Sequence, residues 1–189
     1  MIQIRRFYPV HAFWILFFFL SCFPASAQFL DEKKPVDYDR LFKESLERNG
    51  KLLNLSGKKI GDEGLRQLGK QKWLAQVTRI ELRYNEISEE GGKILSEFPT
   101  LPNLKVLVLR HNFLMDAGTT VLAEAKNFPN LVELQLGWNE VRDAGALAFA
   151  KSKNFPKLQK LDLRGNFLAG ETKEELKAAL GHFKSLQLY

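Results

Sequence analysis

The sequence predicts an α/β solenoid, a short horseshoe with a parallel sheet on its concave face and helices on its convex face, and three observations predict it. First, Val77, Leu104, Leu131 and Leu158 recur at a fixed interval of 27 residues, and a constant period of this length marks a stack of similar units. Second, two further apolar columns stand two residues apart in every period: Leu53, Ile80, Leu107, Leu134, Leu161, then Leu55, Leu82, Leu109, Leu136, Leu163. That is the spacing of a short strand with one buried face. Third, the other half of each period carries helix punctuation, with Asp116-Ala117-Gly118 and Asp143-Ala144-Gly145 at the start and Pro102, Pro129 or Pro156 near the end. Aspartate favours helix N-termini, and proline cannot continue a helix.

Taking the elements in order, Arg5 and Arg6 precede an apolar run over residues 12–20, followed by Pro24 and Ala25-Ser26-Ala27. This order reads as a signal peptide over residues 1–27, cut after Ala27, with a run far shorter than the ~20 residues of a spanning helix. Acylation of Cys22 within Phe19-Leu20-Ser21-Cys22 is the alternative reading. Both readings place the domain outside the cytoplasm, as a secreted, periplasmic or envelope protein. Cys22 is the sole cysteine, so the mature domain is expected to have no disulfide and no thiol nucleophile. Residues 28–49 read as a linker and a capping helix, because Tyr38, Leu41, Phe42 and Leu46 recur at helical spacing on a charged segment.

Residues 50–189 hold the repeats, about five of 27 residues plus a terminal strand. Beyond the strand columns lie Asn85, Asn112, Asn139 and Asn166, then Ile60, Ile87, Leu114, Val141 and Leu168, then Gly64, Gly91, Gly118 and Gly145. The unit LxxLxLxxNxL with its helical half resembles the leucine-rich repeats of the ribonuclease-inhibitor-like class. The resemblance implies a horseshoe that binds a macromolecule and performs no catalysis. The asparagines are expected to be structural, since an amide offers both donor and acceptor to turn backbone that the stack desolvates. Phe183, Leu186 and Leu188 repeat the strand pattern after 25 residues. With no helix after it, that strand offers an edge for self-association.

Function is expected on the outward columns of the concave face. One runs Ser56, Arg83, Arg110, Gly137, Arg164, and the next Gly57, Tyr84, His111, Trp138, Gly165. Beside them lie Asn54, Glu81, Val108, Gln135, Asp162 and, further out, Arg79, Val106, Glu133, Lys160. The candidate contacts are Arg79, Arg83, Tyr84, Val108, Arg110, His111, Trp138 and Arg164, an aromatic and apolar centre rimmed by arginine. The outward strand positions carry Lys51, Arg79, Arg83, Lys105, Arg110, Lys160, Arg164 and Lys184 against Glu81, Glu133 and Asp162. A basic face with Tyr, Trp and Arg suits a protein partner with an acidic surface. The alternatives are carbohydrate, through sugar stacking on Tyr84 and Trp138 with arginines holding the carboxylated or sulfated groups of an anionic glycan, and a structural role in the envelope. Nucleic acid is excluded by export and by the acidic residues scattered among the basic ones.

The chemistry of an enzyme is missing. After residue 27 there are only His111 and His182, no cysteine, and no glycine-rich phosphate loop. Neither a triad nor a metal site assembles, so no enzyme activity, metal or cofactor is expected. Asp62, Glu89, Asp116 and Asp143 begin helices and are read as caps.

Overall fold

The structure is a computed structural model and describes residues 35–189. The expected signal peptide over residues 1–27, with Cys22, and residues 28–34 of the expected linker lie outside the described residues. The chain runs α1 (Tyr38–Glu44), β1 (Leu46–Glu47), β2 (Leu52–Asn54), α2 (Gly61–Gly69), a 3-10 turn (Lys72–Gln76), β3 (Arg79–Glu81) and α3 (Glu89–Ser96). It continues with β4 (Val106–Val108), α4 (Met115–Ala123), β5 (Glu133–Gln135), α5 (Asp143–Lys151), β6 (Lys160–Asp162), α6 (Gly170–Leu180) and β7 (Ser185–Gln187). One sheet takes the strands in chain order. β2 to β7 are parallel, and the register sets Leu53 beside Ile80, then Leu107, Leu134, Leu161 and Leu186. Helices α2 to α6 pack neighbour on neighbour in the same order.

The leucine columns explain this topology. No strand–helix unit has an interior of its own, so the apolar side chains are covered only when units stack. Leu53, Leu55, Leu82, Leu109, Leu134, Leu136 and Leu163 are all 0% exposed. Burial of a side chain of this size stabilises by about 2 kcal/mol.

The asparagines form one hydrogen-bonded ladder through the turn that follows each strand. Asn112 Oδ1 accepts from the backbone N–H of Asn85 (2.9 Å) and Ile87 (3.1 Å), while its Nδ2 donates to the carbonyls of Leu82 and Leu109. Asn166 Oδ1 accepts likewise from Asn139 and Val141. Each amide thus satisfies backbone groups of two successive repeats that burial removes from water.

Two expectations change. The amino-terminal helix ends at Glu44, and Leu46 belongs to β1, which pairs antiparallel with β2 through Leu46 and Leu53. Arg48, Asn49 and Gly50 have φ of 51°, 55° and 76°, a left-handed run that reverses the chain and that a right-handed helix cannot include. The core's first edge is therefore closed by both Phe42, which is fully buried, and a covering strand.

The second change concerns the aspartates, which cap the next repeat and not their own. Asp116 Oδ1 accepts from the N–H groups of Arg142 (2.8 Å) and Gly145 (2.9 Å) at the start of α5. Asp143 Oδ1 accepts from Ala169 N–H (2.9 Å) just before α6, and Asp62 holds Ser88, the N-cap of α3. These donors would otherwise be orphaned at a helix start. Asp116 and Asp143 lie within the first turn of α4 and α5, so their carboxylates point along the stack.

Candidate binding surface

The outward columns converge where each strand ends. Three residues beyond β3, β4 and β5, the chain turns through Tyr84, His111 and Trp138 with φ of 55°, 56° and 56°. In the same column Gly57 and Gly165 have φ of 69° and 68°. The N–H groups of Gly57, Tyr84, His111 and Trp138 donate to the carbonyls of Arg83, Arg110, Gly137 and Arg164, one repeat on. The solenoid thus imposes a left-handed residue at this position in every repeat. Glycine takes that conformation freely, whereas an L side chain costs about 1 kcal/mol. Three aromatic residues occupy it nonetheless.

They stack. The Tyr84 and His111 rings lie 4.2 Å apart at 11°, and His111 and Trp138 lie 4.8 Å apart at 15°. The spacing follows that of the strands beneath. Arg110 lies 4.7 Å and Arg164 5.9 Å from the Trp138 ring centre. Tyr84 is 56% and Trp138 39% exposed. Burial between the two rings, with Arg110 and Arg83 adjacent, lowers the His111 pKa and favours the neutral imidazole.

Behind the rings lies an arginine layer tied down by carboxylates. Glu81 meets Arg79 (Nε to Oε1, 2.7 Å) and Arg83 (Nε to Oε2, 3.2 Å). Asp162 takes two hydrogen bonds from the Arg164 guanidinium, 3.0 and 2.9 Å long. It also lies 3.9 Å from Arg110 Nε, and Glu133 meets Lys160 at 3.5 Å. Burial pushes the Asp162 carboxyl up, but the hydrogen bonds and charge of Arg164, aided by Arg110, hold it below its ordinary value. Part of the basic excess on this face is therefore neutralised within the molecule. Two hollows remain. One, of about 330 Å³, is lined by Arg110, Lys160, Asp162 and Arg164 among others. The second, of about 450 Å³, lies over the first repeats between Arg48, Arg79, Glu81 and Arg83.

Seven of the eight expected contact residues stand on this surface. Val108 does not: it is 0% exposed. It sits in register between Glu81 and Gln135, and the inner side of a curved sheet leaves a short side chain beneath its longer neighbours. Phe113, Met115 and Phe167, at 46%, 36% and 60% exposure, were not singled out by the sequence. Phe113 and Phe167 lie in strand-to-helix loops, as Tyr84 and Trp138 do, and Met115 opens α4 at the end of such a loop, so the exposed apolar residues of the repeats share one rim. The position after each ladder asparagine reads Glu86, Phe113, Glu140, Phe167, a mixed column in which nothing marks the phenylalanines. Among the described residues no group of three or more His, Cys, Asp or Glu side chains is placed to hold a metal ion.

Comparison with known proteins agrees with this architecture. A Leucine Rich repeat family model matches residues 129–150, one strand and the helix after it. No curated protein matches the chain. Among solved structures, the tropomodulin C-terminal domain of Caenorhabditis elegans is similar with a TM-score of 0.55 at 19% identity, covering 78% of this chain and 93% of that one. The Leiomodin-1 Actin-Binding Site 2 is similar with a TM-score of 0.51 at 14% identity, covering 82% and 80%. At such identities the likeness is one of fold. Matched repeat, in-register leucine columns and asparagine ladder together give the chain the fold of leucine-rich-repeat proteins.

Proposed function

We propose that the protein is an exported recognition module that binds another protein through the Tyr84-His111-Trp138 stack and the arginines behind it, with no catalytic role. The observation that carries this reading is the stack itself. Three aromatic residues hold a left-handed backbone position where glycine costs nothing, and strain of this kind persists where a surface is used. Trp, Tyr and Arg are the residue types that dominate binding energy at interfaces. Arg110 and Arg164 around Trp138, and Arg48, Arg79 and Arg83 over the first repeats, favour a partner with an acidic surface. The similar Leiomodin-1 domain is an actin-binding site, which supports a protein as the class of partner and leaves its identity to experiment.

The test is affinity capture with the purified protein against Trp138→Ala combined with Arg110→Ala. Loss of a central pair of this kind lowers affinity by about 30-fold or more. An unchanged partner set with a folded double variant rejects the surface. Export is supported by Arg5, Arg6, the apolar run and Ala25-Ser26-Ala27, and predicts a mature chain beginning at Gln28. A mass consistent with acylated Cys22 would favour the lipid-anchored form. The exposed Tyr84 ring supports carbohydrate as the second reading, and a glycan array separates the two. β7 pairs only with β6 among the described residues, which supports pairing with a second copy. A monomeric mass at high concentration by light scattering overturns that pairing.

A further inference from the structure

The ring stack has one closed end and one open end. At Gly165, a Cβ would overlap the Trp138 ring, so that ring already lies on the Gly165 backbone and no further group fits. At Gly57, the equivalent position on the other side, a Cβ would meet nothing within 4 Å. The outer face of Tyr84 is therefore uncovered among the described residues. The interval between rings is 4.2 to 4.8 Å, and the column continues in register to Gly57 with the same left-handed turn. The place above Gly57 is a vacant fourth position in the stack.

This position shares a wall with the 450 Å³ hollow, whose lining includes Ser56, next to Gly57 in the chain, and Arg83, next to Tyr84. Within the hollow, Arg48, Arg79 and Arg83 face one carboxylate, Glu81. Arg83 Nε lies 3.2 Å from Glu81 Oε2, yet its N–H is not directed at that oxygen, and the two buried atoms are each left without a hydrogen-bond partner. A buried donor without an acceptor is costly, and an incoming carboxylate would relieve it.

We infer that Tyr84, Gly57 and the Arg48–Arg79–Arg83 hollow form a bipartite subsite for an acidic segment of a protein partner, with an aromatic side chain stacked on Tyr84 and a neighbouring carboxylate among the arginines. An aromatic ring fits the slot better than a guanidinium, because Arg83, next to Tyr84 in the chain, repels a cation. Offset stacking on the open ring extends the column by one interval. The inference rests on the proposed recognition function, and its test is independent of the native partner.

The full isotope-labelled chain is titrated with acetyl-Asp-Glu-Trp-Glu-Asp-amide and followed by NMR. Saturable shifts are expected at the amides of Gly57, Arg83 and Tyr84, with those of His182 and Gly170 unmoved. Leucine in place of the peptide tryptophan weakens binding about tenfold, as does Tyr84→Leu in the protein, and Tyr84→Phe restores it. Absence of saturable shifts at Gly57 and Tyr84, or equal binding of the leucine peptide, overturns the inference. Saturation of the same amides by a sulfated disaccharide, with none by the peptide, also overturns it and assigns the slot to carbohydrate. If the Trp138/Arg110 double variant loses its captured partner while Tyr84→Leu keeps it, the recognition function stands and the subsite alone fails.

Discussion

Arg110 reaches across an intervening repeat to Asp162, bringing its Nε within 3.9 Å of Oδ2. The residue between them is Gly137, where a Cβ would stand 3.6 Å from both Arg110 Nε and Asp162 Oδ1. A larger side chain there would fill the passage and the hollow beside it. The single glycine in the arginine column thus lets one guanidinium lie over Trp138 while its charge reaches a buried carboxylate two repeats on. The aromatic column and the charged layer are coupled through that residue.

Asp162 gives a prediction whose sign can be worked out. Its folded pKa is depressed, so it contributes stability that is present above its unfolded value and is lost as pH falls through the folded value. In Arg164→Gln the hydrogen bonds and charge of the guanidinium are lost, while the backbone N–H of residue 164 (3.0 Å) and the more distant Arg110 still oppose burial, so the folded pKa rises toward the unfolded one. The Asp162 contribution to the pH slope of stability below pH ~5 then shrinks, so acid costs the variant less stability than it costs the parent. NMR titration of the Asp162 carboxyl and melting midpoints between pH ~3 and ~6 read both effects. An Asp162 pKa unchanged in the variant would contradict the account.

His111 predicts a second acid dependence. Burial between Tyr84 and Trp138, with Arg110 and Arg83 adjacent, holds its pKa below the ordinary value. The neutral imidazole contributes stability that is present above the unfolded pKa of ~6.5 and is lost as pH falls through the folded one. Arg110→Gln should raise the His111 pKa toward its ordinary value, and His111→Phe should remove this part of the loss on acidification. An acidic partner would raise the same pKa, so partner affinity should increase as pH drops from ~7.5 to ~6. Affinity that is flat or falling over that interval would place the partner's charge elsewhere.

The cross-repeat caps predict damage one repeat away from the substitution. Asp116→Ala removes the acceptor of Arg142 and Gly145 N–H, at a cost of about 1 kcal/mol. Hydrogen exchange should accelerate at the start of α5 and leave the first turn of α4 unchanged. The reverse pattern would restore the simpler reading of Asp116 as the cap of its own helix.

The architecture was legible because its cause is periodic. A leucine every 27 residues and two residues apart within each period has few physical solutions, and the asparagine column follows from the turns it serves. The site was less legible because its determinants are not periodic. Gly57 and Gly165 bracket Tyr84, His111 and Trp138 in one column, and that bracketing was the available sign of a left-handed backbone. Strand alternation sends Val108 outward but is silent on the arginines that crowd a curved face. Glu81 and Asp162 entered the charge count as a minority, whereas in three dimensions they anchor Arg79, Arg83 and Arg164. Asp116 sits at its own helix start in sequence, and only the stack directs its oxygen forward.

The convex face supplies a matched pair of glycine substitutions. Gly92 in α3 packs against α4 so closely that a Cβ would overlap the backbone of Gly118, and Gly118 in turn faces the backbone of Glu89, 2.8 Å from a Cβ to its carbonyl oxygen. These helix starts touch main chain to main chain, and no flexible side-chain end lies between them to give way. Gly92→Ala should therefore force α3 and α4 apart and destabilise by about 1–3 kcal/mol, the range for overpacking a close contact. Gly170 opens α6 with nothing within 4 Å of a Cβ and no left-handed φ, so Gly170→Ala should stabilise by about 0.4–1 kcal/mol by restricting the unfolded chain. Urea unfolding of both variants decides the matter. If Gly92→Ala is neutral, the helices are spaced by something other than these glycines; if both variants destabilise alike, backbone conformation and not contact is what glycine supplies at both sites.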